Sequence, residues 1–170
     1  IDRIQQAIIE NQKIFIYGDY DADGITSTAV MYETLLQLGA DVQYFVPDRF
    51  KDGYGPNLAE YQNLEAQGMQ LLITVDNGVS GYDEVQYLMD KGIDVIITDH
   101  HELPEKLPPA YAVVHPMHPK GNYPFKGLAG VGVAFKVACA LLDDIPQEEL
   151  DLVAIGTVAD VMPLTDENRD

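Results

Sequence analysis

The chain has one cysteine, Cys139, so it can close no intrachain disulfide, which fits a reducing cytoplasm. No apolar run approaches the ~20 residues that crossing a bilayer takes, so no membrane partner is expected. The start, Ile1-Asp2-Arg3, has neither an initiator Met nor a signal-peptide pattern. Positive charge is scarce: 10 Lys and Arg stand against 28 Asp and Glu, for a net charge of -18 and a pI near 4.2. That balance speaks against a broad nucleic-acid-binding face, which normally shows clustered Lys and Arg. There is no evident linker, internal repeat or low-complexity segment. What is present is 170 residues, 46% of them hydrophobic, enough to bury a sizeable core as one domain over residues 1–170. The missing Met and the polar end at Asn168-Arg169-Asp170 lead us to expect a piece of a longer protein.

Apolar runs alternate with helical patterns. Strands are expected at Ile14–Tyr17, Val42–Val46, Leu71–Val75, Ile93–Thr98 and Tyr111–Val114. Helices are expected at Ile25–Leu38, Asn57–Gln67, Tyr82–Lys91, Val131–Leu142 and Gln147–Val158. Nearly continuous apolar strands separated by helices predict an α/β fold: a parallel sheet with helices on both faces.

Three acidic motifs follow strands: Asp19-Tyr20-Asp21-Ala22-Asp23-Gly24, Asp76-Asn77-Gly78 and Asp99-His100-His101. In an open α/β sheet, ligands bind beyond the carboxyl ends of the strands. Neighbouring strands would therefore gather five carboxylates and two imidazoles at one edge, a divalent-metal site. Three readings compete for the first motif. An EF-hand loop matches its opening, but has Val30 where the last ligand should be Glu, and a strand where a helix should precede. A D-x-D-G-x-T signature like that of haloacid-dehalogenase-like phosphatases matches Asp21 to Thr26, yet leaves the two histidines without a role. Only the third reading, hard oxygen ligands with Gly24 letting the backbone pass close to the ions, uses every motif.

Asp76 can bridge two ions, since a carboxylate offers several lone pairs, although Asp-Asn-Gly is also a common turn. In Asp99-His100-His101 one ring can ligate metal while the other faces substrate, with Asp99 orienting a ring. Asp160 ends an apolar helix before Pro163, and is either a metal ligand or a helix-terminal acid. His115 and His118 are expected to be loop or surface imidazoles, and Thr26 and Ser27 to cap a helix. Arg49, Lys51 and Tyr54, in the Gly-rich loop Pro47–Pro56, are candidates for contacting phosphate and base, or else members of an exposed connection. Gly127 to Gly132 is weak evidence for a nucleotide loop, because glycine before a helix often serves only close packing.

Asp21-Ala22-Asp23, Val75-Asp76-Asn77-Gly78, Thr98-Asp99-His100-His101 and Val158-Ala159-Asp160, in this order, resemble motifs I to IV of the DHH phosphoesterase superfamily. Tyr17 to Ser27 is similar to the RecJ branch, single-strand-specific 5′→3′ DNA exonucleases, as are Arg49 to Gly55, Gly130 to Lys136 and Val158 to Leu164. The resemblance implies a hydrolase of ester bonds with two Mn²⁺ ions held by Asp21, Asp23, Asp76, His100 and Asp160, with Asp76 bridging and His101 contacting the scissile phosphate. Asp19 joins this set as the least secure ligand, since other branches carry a His ahead of the D-x-D pair. It further implies action on single-stranded DNA in repair and recombination, in the cytoplasm. A single-strand-binding protein and a helicase are expected as partners of the full-length protein. His115 departs from the Asn usual in RecJ proteins, and the family's DHHA1 and OB-like domains are absent from these residues.

An oxygen-rich set with one His favours Mn²⁺ over Zn²⁺, with Mg²⁺ a substitute. Two ions would also add about four local positive charges, which softens the objection from net charge. The same centre suits short oligonucleotides or cyclic and linear dinucleotides, and a non-enzymatic alternative is an acidic module whose ions only hold loops together.

Overall fold

In the computed structural model, which describes all residues from Ile1 to Asp170, the apolar runs become β1 (Ile14–Tyr17), β2 (Val42–Phe45), β3 (Leu71–Val75), β4 (Asp94–Thr98) and β5 (Ala112–Val114). They form one parallel sheet in the order β2-β1-β3-β4-β5. Six α-helices surround it: α1 (Asp2–Ile9), α2 (Ala22–Gln37), α3 (Leu58–Ala66), α4 (Tyr82–Asp90), α5 (Gly130–Leu142) and α6 (Leu150–Ala159). The α/β architecture is the one the alternating pattern predicts.

Every residue of β1 and β3 is buried, because helices cover both faces of the sheet. Side chains alternate between the faces, so each strand feeds two cores. Ile14, Ile16, Leu71, Ile73 and Val75 pack with α1, α2 and α5 residues such as Ile4, Met31 and Val131. Phe15, Tyr17, Leu72, Val95 and Ile97 pack instead with Tyr61 and Leu64 of α3 and Val85 and Leu88 of α4. Each fully buried aliphatic side chain contributes ~1.5–3 kcal/mol relative to exposure. Helix α6 lies outside this layer, against α2 and α5.

Four local departures stand out, the first two with an evident physical cause. Helix α2 starts at Ala22, three residues before the expected Ile25, because the Asp21 carboxylate caps it by accepting the Gly24 N–H at 2.7 Å. Asp23 is therefore a helical residue in the first turn. Thr26 and Ser27 do not cap; their hydroxyls donate to carbonyls one turn back, Ala22 O at 2.8 Å and Asp23 O at 2.6 Å. The segment Gln147–Glu149 is a 3₁₀ turn leading into α6, and α1 is an additional helix.

The strand order reverses between β1 and β3. The chain leaves β1 through α2 toward β2 and leaves β3 through α4 toward β4, so the two exits part and open a crevice at the carboxyl ends. Asn77 fastens this point: its Nδ2 donates to the carbonyls of Tyr17 (3.2 Å), Gly18 (3.0 Å) and Val75 (2.9 Å). The turn it belongs to puts Asp76 in the left-handed region at φ 59°, which Asp tolerates better than most side chains.

Candidate metal centre

The crevice collects the motif residues into three adjoining groups of candidate ligand atoms: Asp19, Asp21 and Asp76; Asp76, His100 and His101; and Asp23, His100 and Asp160. Within each group the atoms lie within 4.8 Å of one another. Asp76 and His100 each belong to two groups, so the three form one continuous centre. All six candidate ligands named from the sequence, and His101, meet there.

Each side chain arrives from a different element. Asp19 leaves the end of β1 and is buried; its Oδ1 accepts the Tyr20 N–H at 2.7 Å, while Oδ2 has no partner. Asp23, in the first turn of α2, is held by both oxygens, from the Gly130 and Val131 N–H groups at 2.8 Å each. Those donors are the free amides at the start of α5, whose positive dipole end favours a carboxylate. Asp76 projects from the β3 turn, 1% exposed, and neither carboxylate oxygen makes a hydrogen bond. His100 follows β4, and its Nε2 stands 3.0 Å from Asp76, 3.4 Å from Asp23 and 3.5 Å from Asp160. Asp160 is the C-terminal residue bounding α6.

Asp99 organises the histidines. Its Oδ1 accepts the N–H groups of His100 (2.8 Å) and His101 (3.2 Å) and the His101 ring Nδ1–H (2.6 Å), while Oδ2 accepts the Val79 N–H. Because a carboxylate only accepts, the His101 proton on this bond sits on Nδ1. The Asp99 bond raises the His101 pKa, against the effect of burial. Burial alone would raise Asp99, but the bonds from His101 outweigh it and hold the carboxyl below its usual range.

The remaining carboxylates crowd one another. Asp76 is pushed up to about 11, first by burial and then by the charges of Asp23, Asp21, Asp99 and Asp19. Burial likewise lifts Asp19 to about 6 and raises Asp23. No Lys or Arg forms an ion pair with any of these acids. Unpaired buried carboxylates are costly, and a centre of oxygen donors with one shared imidazole fits a hard divalent cation. Gly130 makes the approach possible, since a Cβ there would collide with the Asp76 carboxylate.

Two residues act where the sequence suggested nothing specific. Asn77 joins β1 to β3 through hydrogen bonds that depend on strand pairing between segments far apart in the chain. His115, expected as a loop or surface imidazole, does lie in the loop after β5 but is buried there: its Nε2 lies 2.7 Å from the His101 carbonyl, and its Nδ1 accepts the Met117 N–H. That second bond fixes the tautomer in which Nε2–H donates to His101. Of the loop candidates, Tyr54 lies with its ring centroid 5.6 Å from that of His101, edge to face, and Arg49 sits over the Tyr20 ring at 5.8 Å. Lys51 is exposed on the same loop with no hydrogen bond or ion pair from its side chain. Lys136 is paired with Glu167.

Residues 13–157 match the model of the DHH family, N-terminal domain. The chain is 57% identical over 168 residues to the single-stranded-DNA-specific exonuclease RecJ of Bacillus subtilis (strain 168), covering 99% of this chain and 21% of that protein. A crystal structure of exonuclease RecJ bound to manganese superposes with a TM-score of 0.90 at 38% identity, over 99% of this chain and 44% of that one. RecJ from Thermus thermophilus in complex with Mn²⁺ gives a TM-score of 0.85 at 36% identity, over 99% of this chain and 24% of that one. The chain thus spans about a fifth of the length of the Bacillus subtilis relative.

Proposed function

The chain belongs to the DHH family, and on that footing we propose that residues 1–170 form one DHH domain that hydrolyses phosphodiesters, acting as the catalytic part of a 5′→3′ exonuclease for single-stranded DNA in repair and recombination. The observation that carries this reading is Asp76: a buried carboxylate with both oxygens free of hydrogen bonds, facing His100 Nε2 at 3.0 Å and flanked by four further acids.

Asp19, Asp21 and Asp76 would hold one divalent ion, and Asp23, His100, Asp160 and Asp76 a second, with Mn²⁺ the preferred metal and Mg²⁺ a substitute. When bound, such a pair acidifies water and neutralises charge on the attacked phosphate. The chain's own residues do the rest. Asp99 fixes the His101 ring through Nδ1 and favours the doubly protonated imidazolium, whose Nε2–H then donates to a phosphate oxygen as negative charge develops on it. Tyr54 braces that ring from its edge. Arg49 and Lys51 offer cationic groups to neighbouring phosphates, and Tyr54 an aromatic face to a base. Gly24 N–H and Ile25 N–H are both engaged by Asp21, so neither is free for a phosphate oxygen.

No helix is long and apolar enough to cross a membrane. A cytoplasmic location, and a single-strand-binding protein and a helicase as partners of the longer polypeptide, belong to the same proposal. The test is nucleotide release from 5′-phosphorylated single-stranded DNA with Mn²⁺, with the Asp76→Ala chain as control and a dinucleotide as competitor. Mn²⁺-dependent release that the variant lacks supports the reading. Hydrolysis of the dinucleotide alone would move the substrate, and silence on both, with Mn²⁺ still raising thermal stability, would reduce the centre to a structural one.

A further inference from the structure

Charge is unevenly spread along this acidic chain. Residues 106–142 contain none of the 28 Asp and Glu residues, but four of the 10 Lys and Arg residues (Lys106, Lys120, Lys126 and Lys136), together with His115 and His118. A net charge of -18 averages this segment away.

The fold gathers much of the segment around one cavity of about 450 Å³ at the carboxyl end of β5, lined by the side chains of His118, Lys120, Tyr123 and Lys136 and by apolar Leu128 and Val133. His115 lines it too, and the same ring bonds the His101 carbonyl, so the cavity adjoins the metal centre through one residue. Two of its polar groups, His118 and Lys120, are free to donate. His118 accepts the Lys120 N–H on Nδ1 at 3.1 Å, which leaves a neutral ring its Nε2–H. The Lys120 ammonium is exposed and makes no hydrogen bond or ion pair. An oxyanion already lies between the other two groups: the Glu167 carboxylate takes the Tyr123 hydroxyl at 2.8 Å and pairs with the Lys136 ammonium. Cationic donors beside aromatic and apolar surface are what a single nucleic-acid strand needs, phosphate against the former and base or sugar against the latter.

We propose that this cavity is a second nucleotide subsite, which holds a phosphodiester of the bound single strand next to the one at the metal centre. It rests on the reading of the chain as a single-strand nuclease, and extends the strand's path from the Arg49 loop, across the centre, to the end of β5. Lys120 supplies the principal free charge, and His118 and Tyr123 supply the aromatic surface.

The test compares the chain with its Lys120→Glu and Lys120→Arg variants. Binding of a fluorescent oligothymidylate is followed by anisotropy, with EDTA present to prevent cleavage, between about 50 and 200 mM salt. Hydrolysis of bis(p-nitrophenyl) phosphate with Mn²⁺, an ester too small to reach both places, reports on the metal centre alone. Lys120→Glu should weaken oligothymidylate binding about tenfold and lessen the salt slope by ~0.7, the value for one phosphate contact on a single strand, while Lys120→Arg binds as the parent does. Unchanged affinity and slope in Lys120→Glu, or a parent chain that binds no oligothymidylate, would overturn the subsite. Failure of the small ester to be cleaved while Lys120→Glu still impairs binding would sink the nuclease reading and leave the strand-binding cavity standing.

Discussion

His100 Nε2 lies 3.0 Å from Asp76 Oδ1, yet neither atom makes a hydrogen bond. Two groups this close, both buried, would ordinarily share a proton along a straight line. Here each points instead into the same space, shared with Asp23 and Asp160, as ligands of a common ion do. The chain thus holds repelling carboxylates together from outside the cluster: the Asn77 side chain ties the Asp76 turn to β1, and the α5 backbone amides grip Asp23.

Asp76→Asn should therefore separate stability from function. An amide has no charge for burial and neighbouring acids to oppose, so the metal-free variant should melt above the parent at pH 8. Its Mn²⁺-dependent rise in melting temperature and its turnover should both disappear. Thermal melts with and without Mn²⁺ check this; a parent that gains no stability from Mn²⁺ would contradict the metal centre.

His101→Ala should lower kcat by ~10²–10³, the range for losing one donor to developing charge. Mn²⁺ binding should be kept, because the Asp, His100 and Asp160 set stays whole. Steady-state kinetics paired with metal titration by calorimetry would separate the two effects. Equal loss of metal affinity and rate would make His101 a ligand rather than a phosphate contact.

Asn77→Ala removes three hydrogen bonds from buried carbonyls at the crevice. Each buried polar group left unpaired costs ~1–3 kcal/mol, so urea denaturation should show a loss of at least ~2 kcal/mol. Activity per folded molecule should fall too, since the Asp76 turn loses its anchor on β1.

Glu149 offers a pH test away from the metal centre. Burial, and then the neighbouring Glu33 carboxylate, push it up to about 7 from an ordinary 4.5. A carboxyl whose folded pKa is raised contributes stability that is complete below its unfolded value and lost as pH rises through the folded one. Melting temperature should accordingly fall between pH 4.5 and 7 through this group, and Glu149→Gln should remove that part of the fall and be the more stable chain at pH 8. Parallel pH curves for the two chains would refute it.

Much of this was legible in the order of residues. The strands are short apolar runs buried on both faces, and β1 and β3 coincide with Ile14–Tyr17 and Leu71–Val75 as read. The motifs stood at strand ends, where parallel topology brings them together. Harder to read were features that exist only after pairing. Asn77 looks like any turn residue until β1 lies beside β3, and His115 looks like a loop imidazole until β5 pairs with β4 and sets it under His101. Helix α1 is eight residues long with no side-chain cap at Ile1, so its signal is slight, although Ile4 and Ala7 bury completely. The start of α2 is hard to read because Asp21 sits in a ligand motif, while its oxygen also begins the helix.

The sheet also divides the molecule's labour. Ligand-bearing helices α2 and α6, and α5 with its amides on Asp23, all lie on one side, while α3 and α4 carry no candidate ligand and serve the other core. Beyond their first turns, the solvent faces of α3 and α4 are consequently the part of the chain most open to rewriting: a fluorophore, a surface tether or a run of new side chains placed there would stand away from the carboxyl edge where the candidate ligands gather.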